Sequence, residues 1–98
     1  MHTDDDVKVA RSALGALKIL RKDQRQSLAL VAIIDAIQPP VTLAHSIDDA
    51  TLIARNSAWL AVCSLRVALS QYPPADDVGS LWDAAIAETE RWLLTMEE

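Results

Sequence analysis

The chain has no phenylalanine, a single cysteine at Cys63, and two glycines, Gly15 and Gly79. Proline occurs only as the pairs Pro39-Pro40 and Pro73-Pro74, and histidine only as His2 and His45. Each shortage excludes something. A lone cysteine cannot close an intrachain disulfide, which favours a reducing compartment, the cytoplasm. Two isolated glycines cannot build a glycine-rich phosphate loop. Neither histidine stands three or four positions from a second ligand in a helix, and no Cys-x-x-Cys pair exists, so the common metal-site patterns are missing. No cofactor and no metal are expected. The scarcity of aromatics (4%) and of helix breakers argues against a sheet, because strands prefer aromatic and β-branched residues. The acidic start MHTDDD is the opposite of a secretory signal. The longest apolar run, Leu28 to Ile37, is about half a bilayer span and contains Asp35, so no transmembrane segment is expected.

What is present is alanine, leucine and charge. Hydrophobic residues make up 51% of 98 residues, enough for one domain (1–98) with a real core. The reading is an all-α, compact four-helix bundle. The net charge of −5 keeps such a domain soluble and argues against unspecific binding to nucleic acid or anionic membrane.

Periodicity and capping chemistry place helices at about 4–22, 24–38, 47–70 and 81–96. Thr3 followed by three aspartates starts the first, whose apolar face is Val9, Ala13, Ala16, Leu17 and Leu20. Asp23 with Gln26 reads as a capping box that separates helix two from helix one, and Pro39-Pro40 ends helix two. Ser46 with Asp49 caps helix three, and Ser80 with Asp83 caps helix four. The buried face of helix four is Trp82, Ala85, Ile86, Thr89, Leu93 and Met96, with Trp92 flanking. The segments PPVTLAHSIDDA and PPADDVGSLWDA echo each other at a spacing of 34 residues. Shared stop and cap chemistry explains that echo better than a tetratricopeptide repeat, which needs two helices per period.

No constellation assembles catalytic chemistry. His45, Ser46, Asp48 and Asp49 are consecutive at a helix start, where capping accounts for Ser46 and a converging triad is not expected. Cys63, with Arg66 three positions on, reads as a small hydrophobe within a helix rather than an activated thiol. The adjacent carboxylates Asp48-Asp49, Asp76-Asp77 and Glu97-Glu98 diverge around a helix or cap it. Charge is polarised along the chain. Val7 to Arg25 holds six basic residues and one acid, and Gln71 to Glu98 holds seven acids and one base. The stripe Lys8, Arg11, Lys18 and Lys22 is open to three readings: a solvated face, pairing with the acidic last helix, or phosphate contact with nucleic acid.

Residues 46–70 carry the most information. Ile47, Ala50, Ala54, Ala58, Ala61, Leu65 and Ala68 form one apolar stripe, and Leu52, Trp59 and Cys63 form a second beside Arg55 and Arg66. A surface helix needs only one. Tryptophan and arginine are enriched at binding hot spots. The helix would span about 36 Å against about 25 Å for its neighbours, at about 1.5 Å per residue. Both features favour a homodimer through the third helix over a central position in the bundle. The expected function is a small noncatalytic intracellular protein-interaction module: an adaptor, inhibitor or regulator that binds another protein through Leu52, Arg55, Trp59, Cys63 and Arg66. The alternatives are a nucleic-acid-associated regulator using Lys8, Arg11, Lys18 and Lys22, and a small-molecule sensor with a pocket near Trp82 and Trp92.

Overall fold

The computed structural model describes residues 4–23, 27–39, 50–71 and 78–97. They form α1 (Asp4–Asp23), α2 (Ser27–Ile37), α3 (Ala50–Ser70) and α4 (Val78–Glu97), with no strand among the described residues. The all-α four-helix reading holds. Dimerisation is a separate matter, taken up below.

The helix ends follow local chemistry where it can be checked. Arg21 and Lys22 occupy the last turn of α1, where the helix dipole favours positive charge. Helix α2 stops at Ile37, and the next residue but one is Pro39, which disfavours helical geometry at Gln38. Two expected caps need correction. Helix α1 runs through Asp23, so Asp23 does not stand outside α1 as the start of a helix at 24. Helix α4 begins at Val78, so Ser80 lies inside its first turn and is not its N-cap. The reason is packing: Val78 and Leu81 both lie against the core, which draws the helix start upstream of the serine. Thr3, Gln26, Ser46, Ile47 and Asp49 lie outside the described residues.

Each helix packs on two neighbours, in the cycle α1–α2–α3–α4–α1, and none packs across the diagonal. Side-chain links fix the directions. Arg11 pairs with Glu97 and Arg21 with Asp83, so α1 and α4 are antiparallel. Arg55, near the start of α3, reaches the end of α2 at Ile37 and the Trp92 ring near the end of α4. Its guanidinium also approaches Asp6 at the start of α1. The arrangement is therefore up-down-up-down, the topology that short connections between neighbours favour.

The core is built from alanine and a few large side chains. Ala10, Ala13, Ala54, Ala58, Ala68 and Ala85 are buried beside Leu17, Leu30, Ile37, Val62, Leu65, Trp82 and Trp92. Small residues bring the backbones close, and the two indoles fill the remaining volume. The most extensive seam is α3 against α4. The buried positions are Ala54, Ala58, Val62, Leu65 and Ala68 on α3 and Trp82, Ala85, Thr89, Trp92 and Leu93 on α4. Thr89 is the one residue classed as buried and polar among the described residues, and its Oγ1 donates to the carbonyl of Ala85 at 2.8 Å.

Three more expectations are corrected here. Trp92 is not a flanking residue, being 1% exposed. Both α1 and α3 cover α4, so its buried face is wider than a single stripe. Ala10 is fully buried and joins the α1 core face, whereas Val9 and Ala16 sit at its edge. Finally, α3 has 21 described residues, and α1 and α4 have 20 each. The length argument for a subunit contact therefore fails; only α2, with 11 residues, is short. Helix α3 is also long and apolar enough to cross a membrane by length and composition. In the bundle, that apolarity is explained on its inner side by five buried positions between α2 and α4.

Candidate interaction surface

Helix α3 presents three distinct sides. The inner side holds Ala54, Ala58, Val62, Leu65 and Ala68 and is buried. A flank carries Arg55, which reaches the end of α2 and the Trp92 ring, together with Trp59 and the exposed Arg66. The third side points away from the bundle and carries Ile53, Leu60 and Val67.

Arg55 is directed inward, with its side chain 16% exposed. Its Nε donates to the carbonyl of Ile37 at 2.9 Å, and Nη2 donates to the carbonyls of Gln38 at 3.3 Å and Ala36 at 3.5 Å. These carbonyls belong to the end of α2, where helical oxygens lack intrahelical partners and the dipole is negative. The guanidinium also lies 5.1 Å from the centroid of the Trp92 ring, a cation–π distance, and Nη1 is 3.7 Å from Asp6 Oδ1. Arg55 thus joins all four helices from one position.

Trp59 is half-buried and packs against the core. Its Nε1 is buried without a hydrogen-bond partner, and so is Glu88 Oε2, whose nearest cation is Arg91 at 3.6 Å. Leu52 is half-buried and Arg66 is exposed. Of the five residues singled out in the sequence, Arg55 is turned into the bundle and Trp59 packs against the core. Cys63 lines a groove on the outer side.

The outer side is the unexpected feature. Ile53, Leu60 and Val67 are 51%, 50% and 56% exposed. They are spaced by seven residues, so they form a nearly straight row that drifts by only about 20° per step. Asn56, Ser57, Cys63 and Ser64 interleave with them, and no charged residue falls on this side. Leu60, Cys63, Ser64, Val67, Ala68 and Gln71 line a shallow groove of ≈390 Å³ along its C-terminal half. Spacing could have found this row, but apolar residues surround α3 and the pattern alone does not say which of them the neighbouring helices cover. Burial pushes the Cys63 thiol above its ordinary pKa, and the Arg66 charge opposes that rise. A thiol in this condition is a poor nucleophile at neutral pH.

The basic face of α1 divides. Arg11 is bound to Glu97 at 2.6 Å and Arg21 to Asp83, so part of the charge polarity is resolved by pairing α1 with α4 inside one chain. Lys8, Lys18 and Lys22 are exposed and make no ion pair among the described residues. Beside them, Lys8, Ser12, Ala13, Ala32, Ile33 and Ala36 border an apolar groove of ≈330 Å³ at the α1–α2 seam. Trp82 and Trp92 line neither groove; both are core residues, and Trp82 Nε1 is buried without a partner. Among the described residues, no group of three or more His, Cys, Asp or Glu side chains is placed to hold a metal ion. Comparisons with protein-family models, curated proteins and solved structures return no match to the chain, so the reading of its surfaces rests on their own geometry.

Proposed function

We propose that this chain is a noncatalytic intracellular protein-interaction module whose docking surface is the outer side of α3, and that it self-associates there. The observation that carries the reading is the exposed, uncharged row Ile53, Leu60 and Val67 beside a groove. The centres of protein interfaces are depleted of charge and enriched in apolar side chains, and a contiguous apolar row on a small domain is a recognised mark of a contact site. The surface keeps Cys63 from the sequence-based set, with Leu52 and Arg66 as its neighbours on one flank. Arg55 and Trp59, turned toward the bundle interior, support it from behind.

The strength of such a contact follows from the exposed area. Fully burying a valine, leucine or isoleucine is worth roughly 1.5–3 kcal/mol, so burying the exposed half contributes about 1 kcal/mol per side chain. Six such side chains across a two-fold pair supply about 6 kcal/mol, and the rigid-body entropy cost of association is about 4 kcal/mol or more. The row alone therefore leaves about 2 kcal/mol, a dissociation constant of about 30 mM, and association measurable between about 10 µM and about 1 mM requires the groove and flanking residues to add about 2–5 kcal/mol. Sedimentation equilibrium over that range tests it. The expected result is a rising mass for the parent chain and a monomer for Leu60→Glu at unchanged helicity. A parent chain that stays monomeric to the top of the range refutes self-association.

A second reading has one supporting observation, the exposed Lys8, Lys18 and Lys22 on α1. If these contact nucleic-acid phosphates, binding falls steeply with salt and Lys18→Glu weakens it. Pairing of Arg11 with Glu97 reduces the charge available for that role.

A further inference from the structure

We infer that α2 is a detachable helix: it opens as a unit from a three-helix frame of α1, α4 and α3, and Arg55 is the latch that holds it shut. Four features set α2 apart. First, α4 packs on both α1 and α3, and these are the two most extensive seams of the bundle, whereas the α1–α2 seam is the least extensive. The frame is therefore continuous without α2, which bridges α1 and α3 and does not pack on α4. Second, α2 has 11 residues, and its described buried side chains are Leu30, Ile33 and Ile37. Third, Arg11–Glu97 and Arg21–Asp83 pin α1 to α4, while Asp35, the one charged residue of α2, is exposed and makes no ion pair among the described residues. Fourth, the ≈330 Å³ groove between α1 and α2 leaves their seam incompletely filled, so separating them forfeits fewer contacts. An element with few buried contacts opens at a lower free energy than the whole domain. The apolar face of α2 keeps it docked in the resting state.

Arg55 fits the role of latch because its partners divide between the two parts. The carbonyls of Ala36, Ile37 and Gln38 belong to the end of α2 and its continuation and leave with it. The Trp92 ring and the Asp6 carboxylate belong to the frame and stay. The guanidinium therefore keeps partners in the open state and is not left as an uncompensated buried charge, which would make opening costly. It also remains in place to recapture the α2 carbonyls. Opening bares Leu30, Ile33 and Ile37 together with the inner sides of α1 and α3, an apolar cleft that the closed bundle hides. The outer side of α3 is the same in both states, so this device is separate from the docking surface proposed above.

Native-state hydrogen exchange of the full chain, read residue by residue at rising sub-denaturing urea, tests this. The expected result is that the α2 amides share one opening, less protected and less urea-dependent than the slowest amides of α1, α3 and α4. Arg55→Ala should speed α2 exchange by at least about tenfold, the weight of one hydrogen bond to a charged group, with Arg55→Lys in between. Ala85→Gly alters a fully buried position of α4, away from α2, and weakens the frame in the closed and open states alike. It should speed the slowest frame amides by about fivefold and leave the α2 opening unchanged. Circular dichroism checks that each variant is folded. If the α2 amides exchange together with the slowest frame amides, at the same urea dependence, the inference is overturned; α2 amides with no measurable protection overturn it too. Equal acceleration of α2 and frame in Ala85→Gly also sinks it, because α2 then opens only by global unfolding. Unchanged α2 exchange in Arg55→Ala removes Arg55 as the latch and overturns that assignment.

Discussion

Replacing Arg55 with alanine tests how the bundle is held together. The substitution removes a 2.9 Å charge-assisted hydrogen bond to the carbonyl of Ile37 and two longer ones to Gln38 and Ala36. It also removes the cation–π contact with Trp92. Hydrogen bonds to charged groups contribute about 1.5–3 kcal/mol, and the lower value suits the short bond here because the side chain retains some solvent access. The two longer bonds together add about 0.5–1 kcal/mol. A partly desolvated cation–π pair adds about 1 kcal/mol. Asp6, at 3.7 Å and 40% exposed, adds little. The expected loss is about 3 kcal/mol, a large share of the roughly 5–15 kcal/mol that stabilises a domain. For a chain of this length it lowers Tm by about 12–24 °C. Urea and thermal unfolding measure the loss, and hydrogen exchange locates it, with the last-turn amides of α2 expected to lose protection first. Arg55→Lys keeps the charge but not the planar fork, and should recover about half of the loss. A loss below about 1 kcal/mol for Arg55→Ala refutes the reasoning, because the α2 carbonyls would then be satisfied without the guanidinium. If Arg55→Ala instead weakens self-association at unchanged stability, Arg55 is a contact residue and not an internal tie.

Ala58→Leu introduces three carbons at a fully buried position of α3 and should cost about 1–3 kcal/mol in urea denaturation; a neutral outcome would mean that the core is looser than its burial implies. Cys63, its thiol pKa raised by burial, should be alkylated more slowly near pH 8 than an unstructured cysteine, with the rate rising as pH increases toward that raised value. Arg66→Ala should slow alkylation further, because the charge that stabilises the thiolate is gone; acceleration would contradict this.

Much of the fold is legible in the chain. The stop at Pro39, the basic last turn of α1 and the Ala54, Ala58, Leu65 and Ala68 part of the α3 stripe follow from local chemistry and spacing, whereas Ala50 of that stripe is exposed and the buried Val62 was not in it. Helix starts were less legible. Ser80 has the right chemistry for a cap, but Val78 and Leu81 gain more from reaching the core, and the helix begins before the serine. Trp92 illustrates a related limit. Periodicity finds the centre of a buried face, but its width depends on how many helices lie over it, and two lie over α4.

The interaction surface shows where the division falls. By itself, the sequence determined that the chain is helical and alanine-packed, and that α3 is apolar on more than one side. Those properties follow from composition and spacing. Only the tertiary structure decided which side is left open. Trp59, which is large and the more conspicuous candidate, packs against the core, and Arg55 closes onto the end of α2. Ile53, Leu60 and Val67, unremarkable in the sequence, remain half-exposed. The reason is geometric: a helix offers its apolar residues all around, and the placement of two neighbouring helices determines which of them meet protein and which meet solvent.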